Sequence, residues 1–313
     1  MVFLTILKAL VTFLIAYILY KFIFLAKLRM NFYKKQGLLT EFFPVIGSFV
    51  LKLRLTPDKK DNDALSDIKE LTKLDPKPRA IVRNFGATPV VILLDNALKK
   101  EFAFSHNNYI VEDVFGKIGR LTNNGLTGVS GDEWKKQRKI ISQSFHFDFI
   151  KANIPTIVST ARELLNDLGQ RDLGKVLVIP EMGKVSGEVI GRVFFSENLT
   201  NYKIQGKSVT DHSLSLISKF GECIMSVGYL FFGPKYIDAG LWKYQRDTLN
   251  GVNQLEETCK RILDDRRKSN KDNKDLAWYL LESQKNPSEA DQLTDEEIVA
   301  NYVTFIMVRI SFI

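Results

Sequence analysis

The sequence has few of the residues from which metal centres and disulfide frameworks are built. It holds two cysteines, Cys223 and Cys259, and three histidines, and no Cys-x-x-Cys pair occurs. Two isolated cysteines exclude a disulfide scaffold and a zinc ribbon. The histidines are far apart and form no HExxH pattern, so we expect no metal-ligating set of side chains. Cys259 lies in the helical pattern EETCKRIL and is predicted to be a buried, inert thiol.

A concentrated run of one charge is also missing. The 44 basic residues exceed the 36 acidic ones, but the two kinds are mixed along the chain. The formal charge of +8 suits an anionic membrane surface. Because no basic arm or basic-aromatic ladder accompanies it, we expect no nucleic-acid partner. With 45% apolar and 26% charged residues among 313 positions, the composition predicts a globular protein of one large or two smaller domains.

One long apolar run is present, at the N-terminus. Residues 1–26 are almost wholly apolar and are interrupted by Lys8 and Lys21. About 20 apolar residues cross a bilayer as a helix, so we predict a transmembrane signal anchor in contact with membrane lipid. A cleaved signal peptide is the rival interpretation, but bulky residues continue where a small-x-small cleavage site would be needed. The basic residues between Lys27 and Lys35 place the body of a single-pass protein in the cytosol.

The rest of the chain predicts a mainly α fold with a small β-hairpin or sheet. Residues 27–49 are interpreted as a basic stop followed by a hinge, because Pro44 and Gly47 interrupt regular structure. A hairpin is predicted from two β-branched runs at 80–85 and 89–94. Helices are predicted at 62–74, 96–104, 131–149, 154–168, 180–195, 211–230, 241–268 and 276–283. The capping box formed by Thr294 and Glu297 predicts the start of a final helix.

The helix predicted within GDEWKKQRKIISQSFHFDF, residues 131–149, carries the strongest candidate site. Ser130 or Asp132 is expected to cap its first turn. Trp134 and Arg138 are four residues apart and therefore share one face. An indole N–H and a guanidinium one turn apart suit a carboxylate or a phosphate. Taken alone, these residues are better explained as a core tryptophan and a solvated surface arginine.

The order of these features resembles that of the microsomal cytochrome P-450 family, the haem-thiolate monooxygenases. In that family a W-x-x-x-R helix binds a haem propionate, and Trp134 and Arg138 match it. VSGEVIGRVFF (185–195) resembles a later family helix, and LTDEEIVANYVTFI (293–306) resembles the start of the long helix that crosses the haem. The resemblance implies an incomplete P-450 fold over residues 50–313 after the anchor. It also implies haem, a lipophilic small-molecule substrate, an electron-donating reductase and the endoplasmic reticulum membrane.

The resemblance stops after Met307. There the family pattern continues Ala-Gly-x-Asp/Glu-Thr, whereas this chain reads VRISFI, and it contains no Glu-x-x-Arg pair and no Phe-x-x-Gly loop with a cysteine ligand. Thiolate donation to iron favours O–O cleavage. We therefore expect a truncated, inactive chain with no catalytic residue of its own, and stable haem binding is left open.

Two interpretations of this ending stay open. It is either intron read-through or a natural truncation or degenerate gene. The alternative function is that of a non-enzymatic, membrane-anchored helical binding or decoy protein. We also expect the apolar faces of the final helix to be uncovered. The substrate and the redox partner are not readable from these residues.

Overall fold

The computed structural model describes residues 2–49, 71, 73–105, 124–171, 176–224, 226–269 and 273–311. They belong to two units, one formed by Met1–Tyr109 with Met225–Phe231 and the other by Ile110–Ile224 with Phe232–Ile313. The helix predicted at 62–74 falls almost wholly outside the described residues. The division into segments 1–26, 27–49 and 50–313 stays a prediction.

In the first unit, the apolar N-terminal segment forms one long helix. Helix α1 (Val2–Leu19) continues through a wider π-helical turn (Tyr20–Leu25) into α2 (Ala26–Lys35). Residues 2–17 are all exposed. Among the described residues, this is the helix long and apolar enough to cross a membrane. Helix α1 alone would span roughly 27 Å at 1.5 Å per residue, close to the apolar thickness of a bilayer.

Burial begins at the π-helical turn. Phe22 and Ala26 are each 1% exposed and pack against Ala87. The ring of Phe22 lies 4.6 Å from that of Phe231, and Arg29 donates to the carbonyl of Ala87 at 3.2 Å. The second half of the long helix is therefore part of the core of this unit. Apolar character in the sequence did not separate the exposed turns from the protein-facing ones.

A three-stranded sheet lies beside this helix. Its order is β1 (Leu39–Glu41), β2 (Ala80–Phe85) and β3 (Thr88–Leu93), with β1 parallel and β3 antiparallel to β2. The predicted hairpin is confirmed, as is helix α3 (Asn96–Phe104) after it. The sequence missed β1, because three residues are too few to show an alternating pattern.

The hinge is fastened to the sheet by one side chain. The Oδ1 atom of Asn84 accepts from the backbone N–H of Phe43 and of Ser48, both at 3.0 Å. Gly47, with a φ of +94°, lies so close that a Cβ there would be 2.2 Å from the carbonyl oxygen of Asn84. The predicted break at Pro44 and Gly47 is confirmed, but the segment is held in place and does not act as a loose tether.

Most of the remaining helices follow the periodicity of the sequence. In chain order they are α4 (Gly131–Ser142), α5 (Phe147–Ala152), α6 (Ile154–Leu168), α7 (Val178–Phe194), α8 (Val209–Ile224), α9 (Val227–Phe232), α10 (Pro234–Asp238), α11 (Lys243–Lys268), α12 (Leu276–Glu282) and α13 (Asp295–Ser311). A short hairpin, Lys203–Ile204 with Lys207–Ser208, precedes α8. The single helix predicted at 211–230 is wrong, because α8 and α9 are separate helices.

The final helix, α13, lies in the core of the second unit. It packs against α7, α8 and α11. Its Tyr302 ring stacks on Phe195 with a centroid distance of 4.2 Å. Residues 298–304 are all buried, as are Ile306 and Met307. The expectation of uncovered apolar faces is therefore wrong as far as Met307, because neighbouring helices surround α13 on several sides.

The start of α13 and the state of the thiols agree with the sequence. The backbone N–H of Thr294 donates to Glu297 at 2.7 Å, and that of Glu297 donates to the Thr294 hydroxyl at 3.2 Å, which confirms the capping box. Cys223 and Cys259 are both buried. Burial raises the pKa of each thiol, which confirms Cys259 as an inert thiol and disfavours a thiolate at Cys223.

Candidate functional site

Helix α4 carries the candidate site, and its first turn explains where it begins. Gly131 has a φ of +63°, and Ser130 before it is extended and occupies the N-cap position. Asp132 and Glu133 place negative charge in the first turn, where it is favourable to the helix dipole. The helix predicted from residue 131 is therefore confirmed, although a 3₁₀ turn at Gln143–Phe145 and a separate helix α5 follow it.

The structure keeps Trp134 and Arg138 on one face of α4. Trp134 is half-buried and Arg138 is exposed. Within the part of the chain that the structure describes, the guanidinium of Arg138 has no ion-pair partner. The pair consists of a half-buried indole and an exposed guanidinium, and the guanidinium remains available to an anionic group.

A different side chain of α4 enters the core. Gln137 is 0% exposed, and its amide donates to the carbonyl of Asn124 at 2.8 Å. Its side-chain oxygen accepts a hydrogen bond from Asn301 of α13 at 2.9 Å. No local pattern predicts this pairing, because a glutamine between Lys136 and Arg138 is indistinguishable from a surface residue.

An ion pair also joins α4 to the start of α13. The ammonium of Lys136 lies 2.9 Å from Oε1 of Glu297 and donates to the carbonyl of Gln292 at 3.2 Å. Both charged side chains are mostly buried, at 20% and 17% exposure. Glu297 therefore closes the capping box with one carboxylate oxygen and binds α4 with the other. The i, i+3 spacing of Thr294 and Glu297 revealed the first role but not the second.

The loop before α4 lies against α13 without any gap. A Cβ at Gly125 would be 2.6 Å from the Thr304 hydroxyl and 2.8 Å from the carbonyl of Ala300. Only a glycine allows so close an approach of loop and helix. Residues 124–130 thus form a fixed support for α4.

A cavity of about 440 Å³ lies on the side of α4 that faces away from Trp134 and Arg138. Lys136, Lys139 and Ile140 of α4 line it together with Trp278. Trp134 and Arg138 do not line it, so the helix has a donor face and a separate cavity face.

The chemistry of the donor face is that of anion binding. A guanidinium and an indole N–H are donors without acceptor function, so they bind and orient an anion. Among the described residues, no group of three or more histidines, cysteines and carboxylates is arranged to hold a metal ion. The second unit thus has the features of a mainly helical protein with a donor pair for an anionic group.

Comparison with known proteins identifies the family. The family described as Cytochrome P450 matches residues 64–308, which is well over half of the chain. The chain therefore belongs to the cytochrome P450 family. The mainly α fold with a small sheet agrees with this assignment.

Several curated relatives are plant proteins. The chain is 22% identical to cytochrome P450 72A15 of Arabidopsis thaliana over 294 residues, covering 88% of this chain and 56% of that protein. It is 26% identical to cytochrome P450 72A13 of the same plant over 227 residues, covering 67% and 43%. It is 28% identical to 7-deoxyloganic acid hydroxylase of Catharanthus roseus over 110 residues, covering 34% and 20%. The chain thus spans about half the length of the two Arabidopsis relatives.

Haem is the cofactor of this family, and the donor face fits part of it. The two carboxylate side chains of haem need charged and neutral N–H donors, which are the groups that Arg138 and Trp134 present. Trp134 and Arg138 fit a haem carboxylate in the kind of donor that they present and in the exposure of Arg138.

Proposed function

We propose that the chain forms the part of a membrane-bound haem-thiolate monooxygenase in which Trp134 and Arg138 hold a haem propionate. The observation that carries this proposal is the exposed Arg138 guanidinium, one turn from Trp134 and without an ion-pair partner among the described residues. A guanidinium that is already neutralised would gain little from a second carboxylate, whereas an unpaired one gains a charge-assisted hydrogen bond.

The reaction proposed for the whole enzyme is oxidation of a lipophilic small molecule with electrons from a reductase. Haem with a thiolate ligand supplies oxygen activation in this family. The 313 residues contain no Phe-x-x-Gly loop with a cysteine and no Glu-x-x-Arg pair. Because both cysteines present are buried thiols, we propose that these residues do not by themselves complete an oxygen-activating site.

The proposed location is the endoplasmic reticulum membrane, with one span and the body in the cytosol. Support comes from the exposed apolar surface of α1 and from the basic residues Lys27, Arg29, Lys34 and Lys35 that follow it. Positive charge beside a span is retained on the cytosolic side. Membrane lipid is the proposed partner of α1.

The second candidate is a non-enzymatic, membrane-anchored binding or decoy protein that holds no haem. The observation that favours it is that both cysteines are buried and neither lies in a Phe-x-x-Gly loop. The two candidates differ in whether haem binds.

The separating experiment is a haem titration of the detergent-solubilised 313-residue protein, followed by absorbance. Saturable binding is expected. Arg138→Gln should weaken it by roughly 10- to 100-fold, because a hydrogen bond to a charged group contributes about 1.5–3 kcal/mol. Lys139→Gln is the matched control, since it removes an exposed cation from the cavity face of the same helix. Equal losses in the two variants, or no binding by the unmodified protein, would contradict the proposal.

Reduction of the haem-loaded protein under carbon monoxide tests the second part of the proposal. We expect a difference spectrum without the Soret shift of thiolate-ligated haem, because the pKa of both thiols is raised by burial. A thiolate-type shift that disappears in Cys223→Ala or Cys259→Ala would show that one of these residues ligates iron, and the proposed incompleteness would be wrong.

A further inference from the structure

Two buried carboxamides join the candidate site helix to the final helix. Gln137 of α4 and Asn301 of α13 are each 0% exposed. The Nδ2 atom of Asn301 donates to Oε1 of Gln137 at 2.9 Å. An amide buried without partners is costly, so a pair of this kind favours the one arrangement in which both are bonded.

The remaining polar atoms of both amides are also used. Gln137 donates to the carbonyl of Asn124 at 2.8 Å, and Asn301 accepts from the N–H of Leu126 at 3.0 Å. Asn301 also donates to the carbonyl of Glu297, one turn earlier in α13, at 2.8 Å. The two side chains therefore connect α4, the loop before it and α13 in one hydrogen-bonded cluster. We call these three backbone groups and the two amides the amide clamp.

Close packing and an ion pair prevent α4 and its preceding loop from shifting along α13. Gly125 lies between its two loop contacts, and a Cβ there would be 2.8 Å from the backbone of Ala300 in α13. On the other side, the Lys136–Glu297 ion pair at 2.9 Å fixes a second point of α4 on α13. Rotation of α4 about its axis would break the Gln137–Asn301 bond and this ion pair together.

The clamp is adjacent to the donor pair. Gln137 directly precedes Arg138 and lies three residues after Trp134, so all three side chains leave the same two turns of α4. Since Gln137 points into the core and is fixed there, the directions of Trp134 and Arg138 are fixed with it.

We infer that Gln137 and Asn301 are positioning residues for the propionate contacts. They set the rotation and height of α4 on α13 and so aim Trp134 and Arg138, without contacting the bound group themselves. The inference rests on the proposed function and adds two residues to it. It also means that a displacement of α13 reaches the donor pair through Asn301.

A double-mutant cycle tests this, with Gln137→Met, Asn301→Leu and the two combined. Each single change removes the Gln137–Asn301 bond, leaves one amide without that partner and is expected to lower the unfolding midpoint by several degrees. The double variant should recover the part of this loss that the unmatched amide causes, because replacing both partners of a hydrogen bond by apolar groups is nearly neutral. The Asn124 carbonyl and the Leu126 N–H stay without their side-chain partners in that variant. The haem affinity of the double variant should nevertheless stay about three- to tenfold below that of the unmodified protein. This is the usual size of energetic coupling through a hydrogen-bond network.

A second readout does not depend on haem. The chain has three tryptophans, so Trp242→Phe with Trp278→Phe leaves Trp134 as the sole indole. In that background, all three clamp variants are expected to shift the emission maximum of Trp134 and to increase its quenching by acrylamide. A purely structural role predicts instead that emission and haem affinity return together with stability in the double variant, and that result would overturn the inference.

The failure of the proposed function is distinguishable from the failure of the clamp. If the unmodified protein binds no haem, the propionate assignment is wrong, while the emission of Trp134 still reports whether the clamp sets its position. Unchanged emission in all three variants would refute the positioning role whatever the outcome of the haem titration.

Discussion

Replacing Arg266 by methionine is expected to lower the free energy of unfolding by about 3–5 kcal/mol, because the change leaves a buried carboxylate without its cation. One Nη2 atom of Arg266 lies 3.1 Å from both oxygens of Asp275, and the two side chains are 2% and 1% exposed. Asp275 also accepts from the N–H of Trp278 at 2.8 Å and so caps α12.

The pKa of Asp275 shows how strongly this carboxylate depends on its partners. Burial raises its pKa, even though hydrogen bonds from Ser196 and the backbone of Trp278 and the charge of Arg266 oppose the change. Without Arg266, only the neutral donors Ser196 and Trp278 would oppose the rise in the pKa of Asp275 that burial causes. We therefore expect the methionine variant to take up a proton at Asp275 on folding.

Urea unfolding of Arg266→Met is the measurement, and two further variants make it decisive. Arg266→Met combined with Asp275→Asn should recover most of the loss, because asparagine keeps the helix cap and removes the unpaired charge. Lys260→Gln, on the same helix α11, breaks an exposed pair with Glu256 and should cost no more than about 0.5 kcal/mol. Similar losses for Arg266→Met and Lys260→Gln would show that burial does not govern the first pair.

The second large effect is a pH dependence of stability that originates at Glu188. This residue of α7 is 8% exposed, and neither of its carboxylate oxygens makes a hydrogen bond among the described residues. Burial raises its pKa from 4.5 to about 7, although Arg192 and Lys203 lower it and Glu163 adds to the rise. Arg192 offers little relief, since it lies 4.0 Å from Glu188 and is held by two 2.7 Å bonds to Glu163.

The direction of the effect follows from the protons bound by each state. Between pH 4.5 and about 7 the folded protein retains a proton on Glu188 that the unfolded chain has lost. Stability therefore falls as the pH rises through this range, by at most about 3 kcal/mol in total, and is constant above it as far as this residue is concerned.

The check is the free energy of unfolding at pH 5 and pH 8 for the unmodified protein and for Glu188→Gln. Glutamine does not titrate, so the variant lacks this loss of stability. Between pH 5 and pH 8 its free energy of unfolding should rise relative to that of the unmodified protein by up to about 3 kcal/mol. Glu282→Gln, which alters a carboxylate with 41% exposure, should leave the pH dependence unchanged. Parallel pH profiles for the unmodified protein and Glu188→Gln would exclude Glu188 as the source.

Much of the helical framework was predictable, for identifiable reasons. Helix α6 at Ile154–Leu168 and helix α3 at Asn96–Phe104 agree with the sequence because an apolar periodicity or a local cap marks their ends. The Thr294–Glu297 box was predictable because both partners are three residues apart. The division between α8 and α9 was not, since apolar residues lie on both sides of Ser226 and no proline marks the break.

The candidate site likewise has features that the sequence predicts and features that it does not. The spacing of Trp134 and Arg138 alone places them on one face of α4, and their N–H donors alone suggested an anion to bind. The family resemblance specified that anion as a haem propionate. The sequence likewise determined the long apolar helix at the N-terminus and a mainly α fold. All of these depend on interactions between residues close in the chain.

Tertiary structure decided everything that depends on distant partners. Gln137 and Asn301 are 164 residues apart, and Lys136 and Glu297 are 161 apart, so no local pattern joins them. Likewise, only packing showed that Phe22 faces protein whereas residues 2–17 do not. The physical reason is that amphipathic periodicity reports which face of a helix is apolar, while the polar contacts that orient that helix depend on which elements surround it.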